Sequence, residues 1–165
     1  MERNEAFQLR PEIRLLFLSR GGIPFPMKIP GLRHADQKFD GLAHFGRMLD
    51  KIRLAAAGQL PDGYYLGEDD FSWWDARCCR FLGVPYDELR ARVESGDNDE
   101  DVLDWCFENG VHPNEEQIAI WSTFILKRGW RDESSAGLEK EKQDSGLGDR
   151  DDIVTWAELQ KAQES

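Results

Sequence analysis

The segment DGLAHFGRMLDKIRLAAA, residues 40–57, sets the architecture predicted for this chain. Its apolar residues recur every three or four positions, which is the spacing of one face of an α-helix. They are Leu42, Phe45, Leu49, Ile52 and Ala56. The spacing predicts an amphipathic helix over 40–57 that must bury a single apolar stripe, with Gly58 as its stop signal.

The same pattern recurs downstream and predicts further helices. They cover 70–82, a short segment after Pro85, a segment from Asn98, and a segment from Asn114 to near Gly129. Gln117 stands three residues after Asn114, as in a capping box, and Trp121, like Phe45, lies on an apolar stripe and is a predicted core residue. No useful length of chain alternates strictly between apolar and polar residues. The predicted fold class is therefore all-α: one compact multi-helix domain with four to five main helices, short C-terminal helical segments and no substantial sheet.

Three regions differ in composition. Residues 1–27 carry slightly more basic than acidic side chains and end in a run of glycine and proline. They are predicted to be an extra arm, loosely packed or disordered, and Met27 is an alternative start. Residues 28–130 form the predicted helical core domain. Residues 131–165 form a charged C-terminal extension that we expect to fold back through the amphipathic segment 153–159.

Charge and cysteine content exclude several classes of protein. The 165 residues include 21 Lys and Arg against 32 Asp and Glu, a net charge of −11. An acidic surface repels both duplex DNA and anionic membranes, so neither is an expected partner. No apolar run approaches the ~20 residues that span a bilayer, and no secretory signal pattern is visible. The odd number of cysteines, three, is typical of reduced thiols in the cytoplasm.

Motifs for metals, cofactors and catalysis are missing or incomplete. The acidic run 97–101 resembles a calcium loop, but Val102 stands where that loop needs glycine. The run is better explained as an acidic helix start. His34, His44 and His112 form no recognised metal motif, although His34 with nearby aspartates could face a metal on a helix. We therefore predict no cofactor and no metal site.

One group of charged residues is a candidate site. On a helical wheel, Arg53 lies at the edge of the first apolar stripe and Asp75 at the edge of the second. Asp50 precedes Arg53 by one helical turn, and Tyr64 or Tyr65 from the connecting loop could close a polar pocket. The group predicts either a buried Arg53–Asp75 ion pair that fixes helix register or a ligand pocket in which Arg53 holds an anion.

Two further features have competing interpretations. The six tryptophans are mostly expected in the core, and Trp73, which points away from Trp74 on the wheel, could mark a contact surface. The adjacent thiols of Cys78 and Cys79 are expected to be buried and reduced. Alternatively they form an oxidant or metal sensor whose pKa the neighbouring arginines lower.

Eight segments resemble the bacterial proteins grouped as domain of unknown function 5069. They are PGLR (30–33), FGRMLDKIRL (45–54), AGQLP (57–61), DARCCRFLGV (75–84), LDWCF (103–107), EQIAIW (116–121), KRGWRD (127–132) and RDDIVT (150–155). The resemblance implies a small helical cytosolic protein. It implies no activity and supplies no catalytic residues, and it does not extend to residues 1–26 or to the end of the tail.

Two functions from different classes follow from the residues. The first is a non-enzymatic binding or interaction module that offers an acidic, tryptophan-containing surface or a small pocket to a protein or metabolite. The alternative is a small enzyme, metal-dependent or of the acid/base hydrolase type, that uses a pocket near Arg53 and Asp75 with a histidine.

Overall fold

Seven α-helices make up the regular structure of residues 27–67 and 73–165, which the computed structural model describes. They are α1 (Phe45–Ala56), α2 (Trp74–Leu82), α3 (Tyr86–Glu94), α4 (Asp99–Asn109), α5 (Glu115–Lys127), α6 (Ser135–Asp144) and α7 (Trp156–Gln163). The only β pairing in these ranges is an isolated bridge between Phe39 and Leu42. The predicted all-α class is therefore confirmed. The predicted N-terminal arm lies outside the described residues except for Met27, as do positions 70–72 of the second predicted helix.

Helix α1 begins at Phe45, not at the predicted position 40, because the preceding residues form a tight turn. Asp40, Gly41 and His44 all have positive φ, at 46°, 80° and 68°, and these angles cannot continue a right-handed helix. The turn is closed by hydrogen bonds between the backbones of Phe39 and Leu42. The apolar spacing of a helix continues through residues 40–44, but these residues form the turn. The predicted start of the helix at position 40 was therefore wrong.

The main core lies between the first five helices. Phe45 and Leu49 of α1 are fully buried, as are Leu82, Leu89 and Ile125 of three other helices. Trp121 is 6 % exposed, so the prediction that Phe45 and Trp121 are core residues is confirmed. Burial of side chains of this size contributes about 1.5–3 kcal/mol each, and this contribution holds the helices in one compact domain.

Helix ends mostly follow the predicted stop and start signals. Asn114 and Gln117 form the predicted capping box, and Gly83 ends α2 in the left-handed conformation. Gly110 differs, with φ at −128°. Glycine is required there because a Cβ would lie 2.1 Å from the carbonyl oxygen of Leu82, which accepts a hydrogen bond from the next residue, Val111.

The C-terminal region has a small apolar cluster of its own. Its buried members are Leu138, Ile153 and Leu159, with Trp156 packed against them. The backbone N–H of Trp156 donates to the carbonyl of Arg128 at 3.0 Å, which ties the start of α7 to the end of α5. The last residues of the chain thereby reach the side of α1 that carries its charged residues.

Candidate functional site

Ionisable residues line one side of α1 although that side is buried. His44 directly precedes the helix, and Arg47 and Lys51 follow at the spacing that places all three on one side. They are only 2 %, 3 % and 7 % exposed. Buried charges and buried polar groups are costly unless paired, so we expect the partners of these side chains in other parts of the chain.

Asp75 is the partner of two of them. Its Oδ1 lies 2.7 Å from His44 Nε2, and its Oδ2 accepts a hydrogen bond from Lys51 Nζ, also at 2.7 Å. Oδ2 further accepts from the backbone N–H of Gly67 at 3.1 Å, and Lys51 donates to the carbonyl of Tyr65 at 2.8 Å. Both carboxylate oxygens of a residue 2 % exposed are thus used.

Gly67 lets the loop approach this centre. Its φ is +77°, and a Cβ at this position would lie 2.5 Å from the ring of Tyr86. A larger residue would therefore strain the backbone and push the loop away from Asp75.

Burial and pairing set the protonation of this centre. Burial by itself would raise the pKa of Asp75, but the Lys51 charge and the His44 hydrogen bond outweigh it and hold that pKa below its ordinary value. Burial lowers the pKa of His44 to about 4, although the Asp75 hydrogen bond and charge oppose the shift. At neutral pH the pair is therefore a carboxylate and a neutral imidazole.

The neutral imidazole has one defined tautomer. Because Asp75 is ionised and can only accept, His44 Nε2 carries the hydrogen. His44 Nδ1 is left with a free lone pair, and it is buried without a hydrogen-bond partner among the described residues. The residue has a φ of 68°, an uncommon conformation for a residue other than glycine, and its ring meets Trp74 edge-on at 5.3 Å.

A second buried pair joins α1 to the end of the chain. Arg47 binds both carboxylate oxygens of Glu164, at 2.9 Å and 2.5 Å. The hydroxyl of Tyr64 donates to the same carboxylate at 2.9 Å, and His34 Nδ1 lies 3.4 Å from it. Burial raises the pKa of Tyr64, so its hydroxyl stays protonated and remains a donor.

A third group lies on the more exposed side of α1. Arg33 binds Asp50 through two nitrogens, each at 2.7 Å, and Asp99 at 2.8 Å. Asp99 also accepts from Arg53 at 2.6 Å. Gly46 makes this arrangement possible, because a Cβ there would lie 2.7 Å from the Arg33 guanidinium.

The predicted Arg53–Asp75 ion pair is wrong. Arg53 pairs with Asp99, while Asp75 pairs with Lys51 and His44. The wheel placed Arg53 and Asp75 correctly at the borders of their stripes. It could not show that Lys51, from the same helix as Arg53, would take the Asp75 carboxylate.

The predicted site residues fall into three groups. Asp50 and Arg53 belong to the Arg33 cluster, Tyr64 to the Glu164 pair, and Tyr65 to the Asp75 centre through its carbonyl. The sequence reasoning missed the roles of His44, Arg47, Lys51 and Glu164. The spacing of His44, Arg47 and Lys51 by three and four positions was a usable signal. No local pattern indicated that Glu164 would be a partner.

The cysteines are free and buried. Burial raises the pKa of the Cys78 thiol well above its ordinary value and that of Cys106 to about 12. A thiol of this kind is a poor nucleophile at neutral pH, so the geometry favours the structural interpretation of these residues over the sensor.

Metal ligands do not converge in residues 27–67 and 73–165, where no group of three or more His, Cys, Asp or Glu is placed to hold an ion. In the acidic run, Asn98 caps α4 by accepting from the backbone N–H of Asp101. These residues therefore form the acidic helix start that the sequence predicted.

The outer side of α5 exposes an apolar side chain. Ile120 is 63 % exposed. It lies in a shallow groove of about 440 Å³ lined by Glu116, Ala119, Ile120, Thr123 and Phe124. Of the six tryptophans, all in described residues, Trp130 near the end of α5 is the exposed one, at 49 %. Trp73 is half-buried against Tyr65, with ring centroids 3.9 Å apart, so the prediction that Trp73 is the outward tryptophan was wrong.

Fold and site together define an all-helical domain whose first helix is tied to distant segments by buried ion pairs. The chain belongs to the family described as "Domain of unknown function (DUF5069)", whose model matches residues 30–165. The predicted family is thereby confirmed. A search of curated proteins finds no match to the chain. No helix within the two described ranges is both long and apolar enough to cross a bilayer.

Proposed function

We propose that this protein is a non-enzymatic interaction module of the cytoplasm, and that it binds its partner through the outer side of α5. We define the outer α5 face as Glu116, Ala119, Ile120, Thr123, Phe124 and Lys127. The net charge of −11 supports a protein partner rather than nucleic acid or membrane, and the three buried free thiols support a reducing compartment.

The exposure of Ile120 carries this proposal. The residue lies in the middle of a helix, and 63 % of its surface is open, next to the half-buried ring of Phe124. Apolar grooves with a polar rim are typical of protein contact sites, and Glu116 and Lys127 supply polar ends here. Covering Ile120 would gain about 25 cal/mol for each Å² of apolar surface removed from water.

The buried charged residues support a structural role for the other candidate site. Asp75 uses both oxygens on Lys51, His44 and Gly67, and Glu164 uses both on Arg47 and Tyr64. Carboxylates engaged in this way are not free to act as a nucleophile or a general base. Their contacts instead join α1 to the loop before α2 and to the C-terminus.

Site-specific photo-crosslinking tests the proposal. A benzophenone amino acid replaces Ile120 in one variant and Val154, another exposed apolar residue at 42 % exposure, in the control. We expect crosslinked adducts from position 120 but not from position 154 in the cells that naturally express the protein, with the adduct identified by mass spectrometry. Equal yields at both positions, or none at position 120, would reject the outer α5 face as a contact surface.

A second function, acid/base catalysis, has one observation in its favour. His44 Nδ1 is a buried lone pair without a partner in the described residues, oriented by an ionised aspartate as in catalytic histidine–aspartate pairs. The test is turnover of a panel of activated esters and phosphoesters by the natural protein and by His44→Asn. Asparagine tolerates positive φ and can still donate to Asp75, so the variant is expected to fold. No turnover by the natural protein, or equal turnover by both, would reject this function.

A further inference from the structure

The outer α5 face has opposite charges at its two ends. Glu116 lies in the first turn of α5, and Lys127 is its last residue. Both are exposed. They are eleven positions apart, which is about three turns or roughly 16 Å along one line of the helix. Ile120 and Thr123 lie between them on the same line.

We propose that the partner of this face is a second copy of the chain, packed with its α5 antiparallel across a two-fold axis. This inference rests on the proposed function and names the partner for the same surface. An antiparallel pair centred between positions 121 and 122 places Glu116 opposite the second copy's Lys127, and Ile120 opposite the second copy's Thr123. The two-fold axis repeats each of these contacts, so one face supplies both halves of the interface.

Charge complementarity selects this partner. Two chains of net charge −11 repel each other overall, so self-association requires a local surface whose charges match. The outer α5 face provides an acidic end and a basic end at equal distances from its centre. Glu116 has no ion-pair partner within the described residues. At the basic end, Arg128 is already paired with Asp132 and Glu133, so Lys127 is the cation that faces Glu116 of the second copy.

Aromatic and basic groups extend the basic end. Lys127 Nζ lies 5.6 Å from the ring centre of Trp130, and the Arg131 guanidinium lies 5.4 Å from the same ring. Trp130 is 49 % exposed. The basic end of the outer α5 face is therefore flanked by an exposed aromatic ring that a partner surface can cover.

Sedimentation equilibrium of the full chain tests the association itself. We expect the average mass to rise from that of the monomer towards twice that value between about 1 µM and about 1 mM, the range of a weak dimer. Ile120→Arg is expected to raise the dimer Kd about tenfold or more. The control Val154→Arg introduces the same side chain at another exposed apolar position and is expected to leave Kd unchanged.

Charge reversal tests the orientation of the pair. Glu116→Lys places two lysines opposite each other at both ends of the interface, so we expect Kd to rise. Glu115→Lys makes the same change in net charge but points about 100° away around the helix, so it serves as the matched control. The double variant Glu116→Lys with Lys127→Glu exchanges the two charges and is expected to restore the original Kd.

Disulfide trapping tests the register. In an equimolar mixture of Ile120→Cys and Thr123→Cys chains, the antiparallel pair predicts a mixed disulfide between the two variants in preference to either symmetric one. Background from natural thiols is low, because Cys78, Cys79 and Cys106 are buried. A preference for symmetric disulfides would indicate parallel packing and overturn the proposed arrangement.

The outcomes separate this inference from the proposed function. A monomer at every concentration overturns the second copy as partner. So does a crosslink from position 120 to residues 1–26 of the same chain or to a different protein. A crosslink to a different protein would leave the interaction-module function standing, whereas no crosslink at position 120 together with a monomer would reject both.

Discussion

Replacing Asp75 by asparagine is expected to be among the most destabilising isosteric changes in this protein. The carboxylate accepts from Lys51, His44 and Gly67 in a site where it is only 2 % exposed. Asparagine keeps the shape but removes the charge that balances Lys51. Breaking a buried ion pair from one side costs roughly 3–5 kcal/mol because the other charge is left uncompensated.

The expected loss is large enough to measure by thermal denaturation. For a chain of this size, each kcal/mol lowers Tm by about 2–4 °C, so Asp75→Asn should melt about 6–20 °C below the natural protein. The double variant Lys51→Met with Asp75→Leu removes both charges together. In a double-mutant cycle, we expect this variant to lose about 1–3 kcal/mol less stability than the sum of the single changes Lys51→Met and Asp75→Leu.

The Arg90–Glu94 pair is the matched control for this cycle. Its side chains are 44 % and 37 % exposed and meet at 2.6 Å across one turn of α3, and an exposed pair of this kind contributes about 0.3–0.5 kcal/mol. If Asp75→Asn lost less than about 1 kcal/mol, or if the Lys51 and Asp75 changes were additive, the buried pair would not stabilise the fold.

Three further predictions concern pH, the core and the C-terminus. Because the pKa of His44 falls from 6.5 to about 4 on folding, the unfolded chain binds more protons between these values. The free energy of unfolding should therefore fall by about 3 kcal/mol as the pH drops through this window. Urea titrations of the natural protein and of His44→Asn at several pH values measure this loss. An equal dependence of the free energy of unfolding on pH in the two proteins would refute it. The pKa of Asp75 is also lowered, so the stability that its carboxylate contributes is lost only below its ordinary pKa of 3.8. Trp121→Ala should cost about 3–5 kcal/mol, because the ring stacks on Phe81 and its N–H donates to a backbone carbonyl at 3.0 Å; an unchanged urea midpoint would contradict this. Glu164→Ala should cost a similar amount by stranding Arg47, whereas deletion of the exposed Ser165 should leave Tm unchanged.

Local pattern determined the helices of this protein. Apolar spacing and cap residues act within a few positions of one another, so the segments after Pro85, Asn98 and Asn114 could be predicted from the sequence with the capping box included. The prediction failed where a turn overrode periodicity, at residues 40–44. Helical spacing continues through these residues, but three of them adopt positive φ.

Tertiary structure alone decided which charges meet. His44 and Asp75 are 31 positions apart, Lys51 and Asp75 are 24 apart, and Arg47 and Glu164 are 117 apart. A helical wheel shows which charges approach the core but contains no information on which other segment packs there. Arg53 and Lys51 both lie near the edge of the apolar stripe of α1. Lys51 pairs with Asp75 because the loop before α2 places the carbonyl of Tyr65 and the N–H of Gly67 at the same site. Ion pairing depends on distances of a few ångströms between remote segments, and those distances exist only once the helices have packed.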